Sequence, residues 1–271
     1  MKVVLSIEPV RFPLTGIGRY TYELAQALRT SPALDELLFF GSKGFVERLP
    51  EAASNGGTTH RLKRLVQRSR LASDAYRLAL PLIKSRALRN HQDYLFHSPN
   101  FYLPPFPGRS IATFHDLSPF LWSDYAPKER VRFMQKELLL ALRRGDAFIT
   151  DSQYNRQEMA SYFSISPEKI HAVPLAAGEE FRPRAPETLV TPLERYGLQP
   201  GQYSLYVGTI EPRKNLMNLL AAYKALPQQV RQRWPLVLAG YAGWRSEDIH
   251  RAIEKATREG WARYLGFVDA I

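Results

Sequence analysis

Short apolar runs alternate with amphipathic segments along this chain of 271 residues. Helical spacing of apolar side chains predicts helices at Arg19–Arg29, Lys128–Arg144 and Gln153–Phe163. The apolar runs predict buried strands at Val3–Ile7, Leu37–Phe40, Asp93–His97, Ile111–Phe114, Ala147–Thr150 and Ile170–Pro174. Because short strands that alternate with helices are typical of parallel sheets, the pattern predicts the α/β class and one doubly wound, Rossmann-like domain by about residue 176.

The pattern breaks over residues 177–202, which hold four prolines, several glycines and mixed charges. Such a stretch is typical of an interdomain linker. The pattern then restarts, with strands predicted at Ser204–Val207 and Leu236–Ala239 and near Tyr264–Leu265. The sequence therefore predicts a first domain over 1–176, a linker over 177–202, and a partial second Rossmann-like domain over 203–271.

Composition narrows the class of protein. The chain has no cysteine, which excludes disulfides and thiolate metal sites, and its six histidines show no metal-ligand spacing. We therefore expect no metal. It also shows neither a signal-peptide core nor an apolar run of about 18 residues, which predicts a cytoplasmic protein.

Much of the net charge of +11 lies in residues 60–91, which hold nine Lys or Arg and a single acid, Asp74. Apolar residues recur among these cations at roughly helical spacing. One interpretation is a cationic amphipathic segment that lies on the anionic inner face of a membrane, and the other is a solvated basic helix packed on its domain. No nucleic-acid-binding module accompanies the charge, so we predict no nucleic-acid partner.

A glycine and two cations precede a predicted helix in the second domain. Gly208 ends a strand, and Arg213 and Lys214 stand directly before the amphipathic pattern that begins at Leu216. Cations at a helix N-terminus oppose the helix dipole, so an anion is expected to compensate them. The pattern favours a diphosphate site over the alternative of two solvated surface cations.

Polar residues also follow the strands of the first domain. His115 and Asp116 come directly after Ile111–Phe114, at the end of a parallel strand where ligands bind in open α/β sheets. The equal alternative from these residues alone is a structural histidine with its hydrogen bonds satisfied and a capping aspartate. Asn100, in the loop after another strand, is a candidate for binding an acceptor, and the alternative is an ordinary surface loop, which Pro99 and Pro104 indicate equally well. Ser152 is a predicted N-cap. The G-x-G formed by Gly16 and Gly18 lacks the third glycine of a dinucleotide fingerprint, which argues against a nicotinamide or flavin role. A simple tight turn and a ligand loop are both open interpretations of these two glycines.

Four stretches in this order resemble the retaining, nucleotide-sugar-dependent glycosyltransferases of family 4. They are Thr15–Tyr20, Thr113–Leu117, Ile149–Tyr154 running on to Ala176, and Tyr203–Leu216. The resemblance implies two Rossmann-like domains, the GT-B arrangement. It also implies transfer of a mannose-like hexose from a nucleoside diphosphate sugar such as GDP-mannose, without a metal or other cofactor. The implied acceptor is a saccharide or a lipid-linked saccharide, in cell-surface polysaccharide synthesis.

The same resemblance implies roles for single residues. His115 would hold the transferred sugar, and Arg213 and Lys214 would neutralise the leaving diphosphate. The Gly16 and Gly18 loop and Gly208 would border the donor, and the first domain would hold the acceptor. Asp116 would orient His115 or contact the acceptor. Many family members carry an arginine directly after the glycine, where this chain has Thr209.

The family's glutamate pair, written E-x7-E, has no match after Gly240. By the resemblance, one glutamate contacts the sugar and the other the ribose. We therefore expect this chain to be a fragment or a natural truncation with an incomplete second domain and negligible transferase activity. The alternative function is that of a non-catalytic binding subunit, or pseudoenzyme, of the same fold.

Overall fold

The computed structural model describes residues 1–14, 16–42, 44–51 and 80–268. The chain divides into two compact units. The first unit comprises Met1–Pro119 and Arg132–Gly178, and the second comprises Phe120–Val131 and Glu179–Ile271.

A seven-stranded sheet forms the centre of the first unit in the described residues. Its strands are β1 (Lys2–Ser6), β2 (Glu36–Gly41), β3 (Gly44–Val46), β4 (Leu95–Ser98), β5 (Ser110–Phe114), β6 (Ala147–Thr150) and β7 (Ile170–Ala172). They lie in the order β3-β2-β1-β4-β5-β6-β7, and every neighbouring pair is parallel except β2 with β3. The order reverses between β1 and β4, which is the ligand-binding switch point of a doubly wound sheet.

Helices connect these strands. They are α1 (Gly16–Arg29), α2 (residues 80–88), α3 (Ser118–Leu121), α4 (Lys128–Arg144) and α5 (Gln153–Phe163). Helix α1 begins at Gly16, three residues before its predicted start. The predicted N-cap of α5 is confirmed, because the Ser152 hydroxyl accepts a hydrogen bond from the Asn155 backbone N–H at 3.1 Å. Ser152 therefore has a structural role.

Within the described residues, the second unit contains three parallel strands in the order β10-β9-β8. These are β8 (Ser204–Val207), β9 (Leu236–Ala239) and β10 (Ala262–Gly266), with helices α6 (Pro186–Glu194), α7 (Leu216–Ala225), α8 (Gln228–Arg233) and α9 (Glu247–Arg258). Buried Leu220 and Ile253 from α7 and α9 pack with Leu238 of β9 in one apolar core. The predicted α/β class with parallel Rossmann-like sheets is confirmed.

Residues 177–202, predicted as a linker, contain helix α6. Pro186 occupies the first turn of this helix, where its missing N–H costs no hydrogen bond. The Arg263 guanidinium donates to the backbone oxygens of Tyr196 at 3.1 Å and Gly197 at 2.7 Å, which ties the segment to β10. The predicted bounds of the two domains stay a prediction.

Candidate functional site

Three loops meet at the carboxyl ends of β4, β5 and β6. Because these strands are parallel neighbours, Pro99 after β4, His115 after β5 and Asp151 after β6 come together. This group lies beside the switch point, where an open α/β sheet binds its ligands. We refer to Pro99, His115 and Asp151 as the first-sheet cluster.

The imidazole of His115 is held at both ring nitrogens. Nδ1 lies 2.9 Å from one carboxylate oxygen of Asp151 and 3.2 Å from the other, and Nε2 lies 3.0 Å from the backbone oxygen of Pro99. A carboxylate and a carbonyl can only accept, so both nitrogens must donate. His115 is therefore an imidazolium paired with Asp151.

The electrostatic environment agrees with that geometry. Burial lowers the pKa of His115, but the hydrogen bond to Asp151 and the negative charge of that carboxylate outweigh it, so the pKa is raised overall. The two side chains are only 16% and 19% exposed, which limits screening by water. The Asn155 side chain also donates to the His115 backbone oxygen at 2.8 Å, which fixes the loop.

This ion pair predicts how stability depends on pH. Because the folded-state pKa of His115 is raised above its unfolded value, its contribution is complete below about pH 6.5 and is lost as the pH rises through the folded-state pKa. We expect the free energy of unfolding to fall over that window. In Asp151→Asn the fall should be smaller, as measured by denaturant unfolding at a series of pH values.

The matched control is His171→Gln, which removes an exposed histidine of β7. This control should retain the pH dependence of the original protein. Equal pH dependence in Asp151→Asn and the original protein would contradict the assignment of an ion pair between His115 and Asp151.

The two predicted acceptor residues lie in the loops beside this cluster. Asp116 is exposed, and one of its carboxylate oxygens accepts from the Ser118 backbone N–H at 2.9 Å at the start of α3. The Asn100 side-chain oxygen accepts from the Phe101 backbone N–H at 2.8 Å. Both contacts shape local turns. Acceptor binding by Asp116 and Asn100 stays a prediction.

The predicted glycine loop sits at the start of α1, but its two glycines differ. Gly16 has a φ of +42°, and a Cβ there would meet no atom within 4 Å. Gly18 is buried, and a Cβ there would lie 2.8 Å from the Pro9 backbone oxygen. Close packing thus explains why position 18 holds a glycine, and of the two glycines only Gly16 leaves open space for a ligand. Donor binding by Gly16 and Gly18 stays a prediction.

Sequence reasoning missed two side chains at this site. The sequence alone assigned no role to Asp151, because its pairing with His115 depends on the register of β5 against β6. The signal was a polar residue at the end of each of two neighbouring parallel strands. Tyr20 of α1 was missed as well, although its ring meets the His115 ring edge to face, with centroids 4.9 Å apart.

In the second unit, Arg213 and Lys214 lie where the sequence predicted, directly before a helix. They belong to the 3-10 turn Pro212–Lys214, and Asn215, with a φ of +55°, leads into α7. The Arg213 guanidinium pairs with the Glu211 carboxylate at 3.0 Å, so Glu211 already provides part of the expected compensating negative charge. Diphosphate binding at Arg213 and Lys214 stays a prediction.

The loops after β8 and β9 approach each other closely. The Gly208 backbone N–H donates to the Ala239 oxygen at 2.9 Å, and a Cβ on Gly240 would lie 2.0 Å from the Gly208 oxygen. Tyr241 follows Gly240, and its ring stacks on that of Phe267 with centroids 4.3 Å apart and planes 12° apart. The pair is partly exposed, at 43% and 36%, and sequence reasoning missed it although each aromatic residue follows the glycine at a strand end.

Most of the predicted basic patch, residues 60–79, lies outside the described residues. Within the described part, Lys84 does not contribute to a surface patch, because it is buried and its ammonium pairs with Glu8. Arg86 and Arg89 instead line a cavity of about 590 Å³ with apolar side chains. No helix in the described part of the chain is long and apolar enough to cross a membrane.

The described residues also contain no group of three or more His, Cys, Asp or Glu side chains that could hold a metal ion. The expectation that the protein works without a metal stays a prediction.

Comparison with known proteins identifies a matching family model and similar mannosyltransferases. The family model described as Glycosyltransferase Family 4 matches residues 14–177. O-antigen chain mannosyltransferase B of Escherichia coli is 41% identical over 275 residues, which cover 99% of this chain and 71% of that protein. A serotype-specific mannosyltransferase WbdA of the same species is 31% identical over 60% of this chain and 20% of its own length.

Solved structures resemble the chain in fold. The UDP-glucose complex of Anabaena HepE matches 99% of this chain and 69% of its own, with a TM-score of 0.63 and 15% identity. WaaG, a glycosyltransferase involved in lipopolysaccharide biosynthesis, matches 98% and 70%, with the same TM-score and 13% identity. The family match, the 41% identity and the parallel Rossmann-like sheets agree: the chain belongs to glycosyltransferase family 4 and is a glycosyltransferase of GT-B fold.

Proposed function

We propose that this chain acts in the transfer of mannose from a nucleoside diphosphate sugar, GDP-mannose, to a growing cell-surface polysaccharide. The observation that carries the proposal is the 41% identity to O-antigen chain mannosyltransferase B across 99% of the chain. The mannosyltransferases named WbdA point to the same sugar. The acceptor would be a saccharide or a lipid-linked saccharide.

The donor diphosphate would bind to the second unit at Arg213 and Lys214. A helix N-terminus offers backbone N–H groups to an anion, and the two cations add charge-assisted contacts. Arg213 would exchange its partner Glu211 for the diphosphate. As the sugar leaves, negative charge grows on the diphosphate, and the same two cations would stabilise it.

The stacked pair Tyr241 and Phe267 supports a nucleotide at the second unit. Both rings are partly exposed, and the Ile210 backbone N–H donates to the Tyr241 oxygen at 2.8 Å, which links the pair to the loop that leads to Arg213. A nucleobase is a flat aromatic ring that stacks on such side chains. This side of the unit would therefore take a nucleoside diphosphate.

In the first unit, His115 would act on the transferred sugar. Its Nε2–H, which donates to the Pro99 oxygen here, is directed by the Asp151 pair and could donate instead to a sugar hydroxyl. Asp116 and Asn100 lie in the neighbouring loops and would contact the acceptor.

Transfer would proceed with retention of configuration. The bond from the sugar's anomeric carbon to the diphosphate oxygen breaks, and its electron pair leaves with the diphosphate. The acceptor hydroxyl oxygen then bonds to the same carbon on the same face, and its proton passes to the leaving group.

Arg86 and Arg89 would favour attachment of the protein to an anionic membrane surface, where a lipid-linked acceptor resides.

Thermal stabilisation by nucleotides tests the proposal. We expect GDP to raise the unfolding temperature more than UDP does, with about 2.7 kcal/mol of stabilisation when GDP is at 100 times its dissociation constant. Mannose transfer from GDP-mannose to a mannose-containing oligosaccharide is then measured directly. Binding of GDP without transfer would support the non-catalytic alternative, and stabilisation by neither nucleotide would contradict donor binding.

A further inference from the structure

Tyr20 of α1 links the first-sheet cluster to a buried polar group behind it. Its ring meets the His115 imidazole at 84°, with centroids 4.9 Å apart. Its hydroxyl lies 3.4 Å from the hydroxyl of Thr113 on β5, and Thr113 in turn lies 3.1 Å from Nε2 of His97 on β4. One side of Tyr20 thus touches the imidazolium, and its hydroxyl contacts Thr113 of β5, which in turn contacts His97 of β4.

The group behind Tyr20 is buried and uncharged. Thr113 is fully buried and His97 is 8% exposed. Burial lowers the pKa of His97 to about 4, so its ring is neutral at neutral pH. The negative charge of Asp151 is therefore paired with His115, while the Thr113 hydroxyl contacts both the Tyr20 hydroxyl and the neutral His97 ring.

Tyr20 also closes a side of His115 that its hydrogen bonds leave uncovered. An imidazole ring turns broadly about its terminal side-chain torsion, and a half turn exchanges each ring nitrogen with a carbon. The observed orientation directs Nδ1 to Asp151 and Nε2 to the Pro99 oxygen. An edge-to-face ring anchored by Thr113 opposes that turn and keeps water away from the ion pair.

We propose that Tyr20 is a positioning residue, which holds the His115 imidazolium in the orientation that aims its Nε2–H. The effect of Tyr20 on the transfer rate rests on the function proposed above, in which this N–H donates to the transferred sugar. The effect of Tyr20 on the orientation of His115 does not rest on that function, because it concerns only the first unit. Tyr20 itself is not assigned a contact with the substrate.

The test replaces Tyr20 in the full chain and observes His115 by nuclear magnetic resonance. In Tyr20→Leu we expect the side-chain N–H protons of His115 to exchange with water at least about 10-fold faster, because the ring that shields them is gone. Tyr20→Phe keeps the ring and should stay within about 2-fold of the original protein. The transfer rate should fall about 10- to 100-fold in Tyr20→Leu, with little change in the KM for the donor.

The matched control is Tyr22→Leu on the same helix. Tyr22 is half-buried like Tyr20, and its ring packs edge to face on Phe12 with centroids 5.9 Å apart. This variant should lose thermal stability but leave the His115 signals unchanged. If Tyr20→Leu fails to fold, Thr113→Val replaces it: loss of the shared hydroxyl should accelerate His115 N–H exchange about 2- to 10-fold.

Unchanged His115 exchange in a folded Tyr20→Leu or Thr113→Val protein would overturn the inference. Equal acceleration in Tyr22→Leu would do so as well, because general loosening of α1 would then explain the effect. If the original protein shows no sugar transfer but the His115 signals respond as expected, the proposed function fails while the positioning role stands.

Discussion

A protein in which both Arg213 and Lys214 are replaced by alanine is expected to bind GDP, and to transfer sugar, about 10²- to 10⁴-fold less well. A hydrogen bond to a charged group contributes about 1.5–3 kcal/mol, and each cation would make one such contact to the diphosphate. The two losses add if the contacts are independent. Each single variant should show about a 10- to 100-fold loss.

Stability should fall by no more than about 1 kcal/mol, because the Arg213 side chain is 36% exposed in its pair with Glu211 and water screens it. The measurements are the dissociation constant for GDP by calorimetry and the turnover with GDP-mannose. Lys224→Ala with Arg258→Ala is the matched control. It removes the same charge from exposed positions in the last turns of α7 and α9.

That control should keep GDP affinity within about 3-fold, because it changes only the general positive field of the unit. Unchanged GDP affinity in the Arg213 and Lys214 double variant would show that the diphosphate does not bind at this helix start. Equal losses of GDP affinity in both double variants would mean that net charge, and not a specific contact, explains the effect.

The central strands were predictable because burial on both faces leaves an apolar run in the sequence. Strand β6, for example, was predicted with the bounds that the structure has, Ala147–Thr150. Strand β3 (Gly44–Val46) was missed because it is three residues long and lies at the sheet edge, where its side chains are largely exposed. Helix α6 was missed because its prolines resemble those of a linker.

Candidate site residues were predictable where the chain itself marks a strand end. His115 follows β5 directly, so its sequence neighbours place it at the carboxyl edge. Its partners were not predictable, since Asp151 and Pro99 are 36 and 16 residues away and meet it only through the order of β4, β5 and β6. The pairing of Arg213 with Glu211 was not predicted either, because cations at a helix start were expected to be compensated by a bound anion.

Replacing Gly240 by alanine is expected to destabilise the second unit by about 2–5 kcal/mol. Gly240 has a φ of +148°, and an added Cβ would lie 2.0 Å from the backbone oxygen of Gly208. The hydrogen bond from the Gly208 N–H to the Ala239 oxygen holds Gly208 close to Gly240. Backbone strain and overpacking each cost about 1–3 kcal/mol. The matched control, Gly260→Ala, has a φ of +80° but meets no atom within 4 Å, so it should lose only about 1 kcal/mol.

Tryptophan fluorescence reports this unfolding selectively, because all four tryptophans, Trp122, Trp234, Trp244 and Trp261, belong to the second unit. The clash acts on the loop from Gly208 towards Arg213, so GDP affinity should fall in Gly240→Ala and stay near the original value in Gly260→Ala. If the two variants lose equal stability, strain at positive φ alone accounts for the effect. If Gly240→Ala loses stability but binds GDP normally, the donor does not depend on the close approach of Gly208 and Gly240.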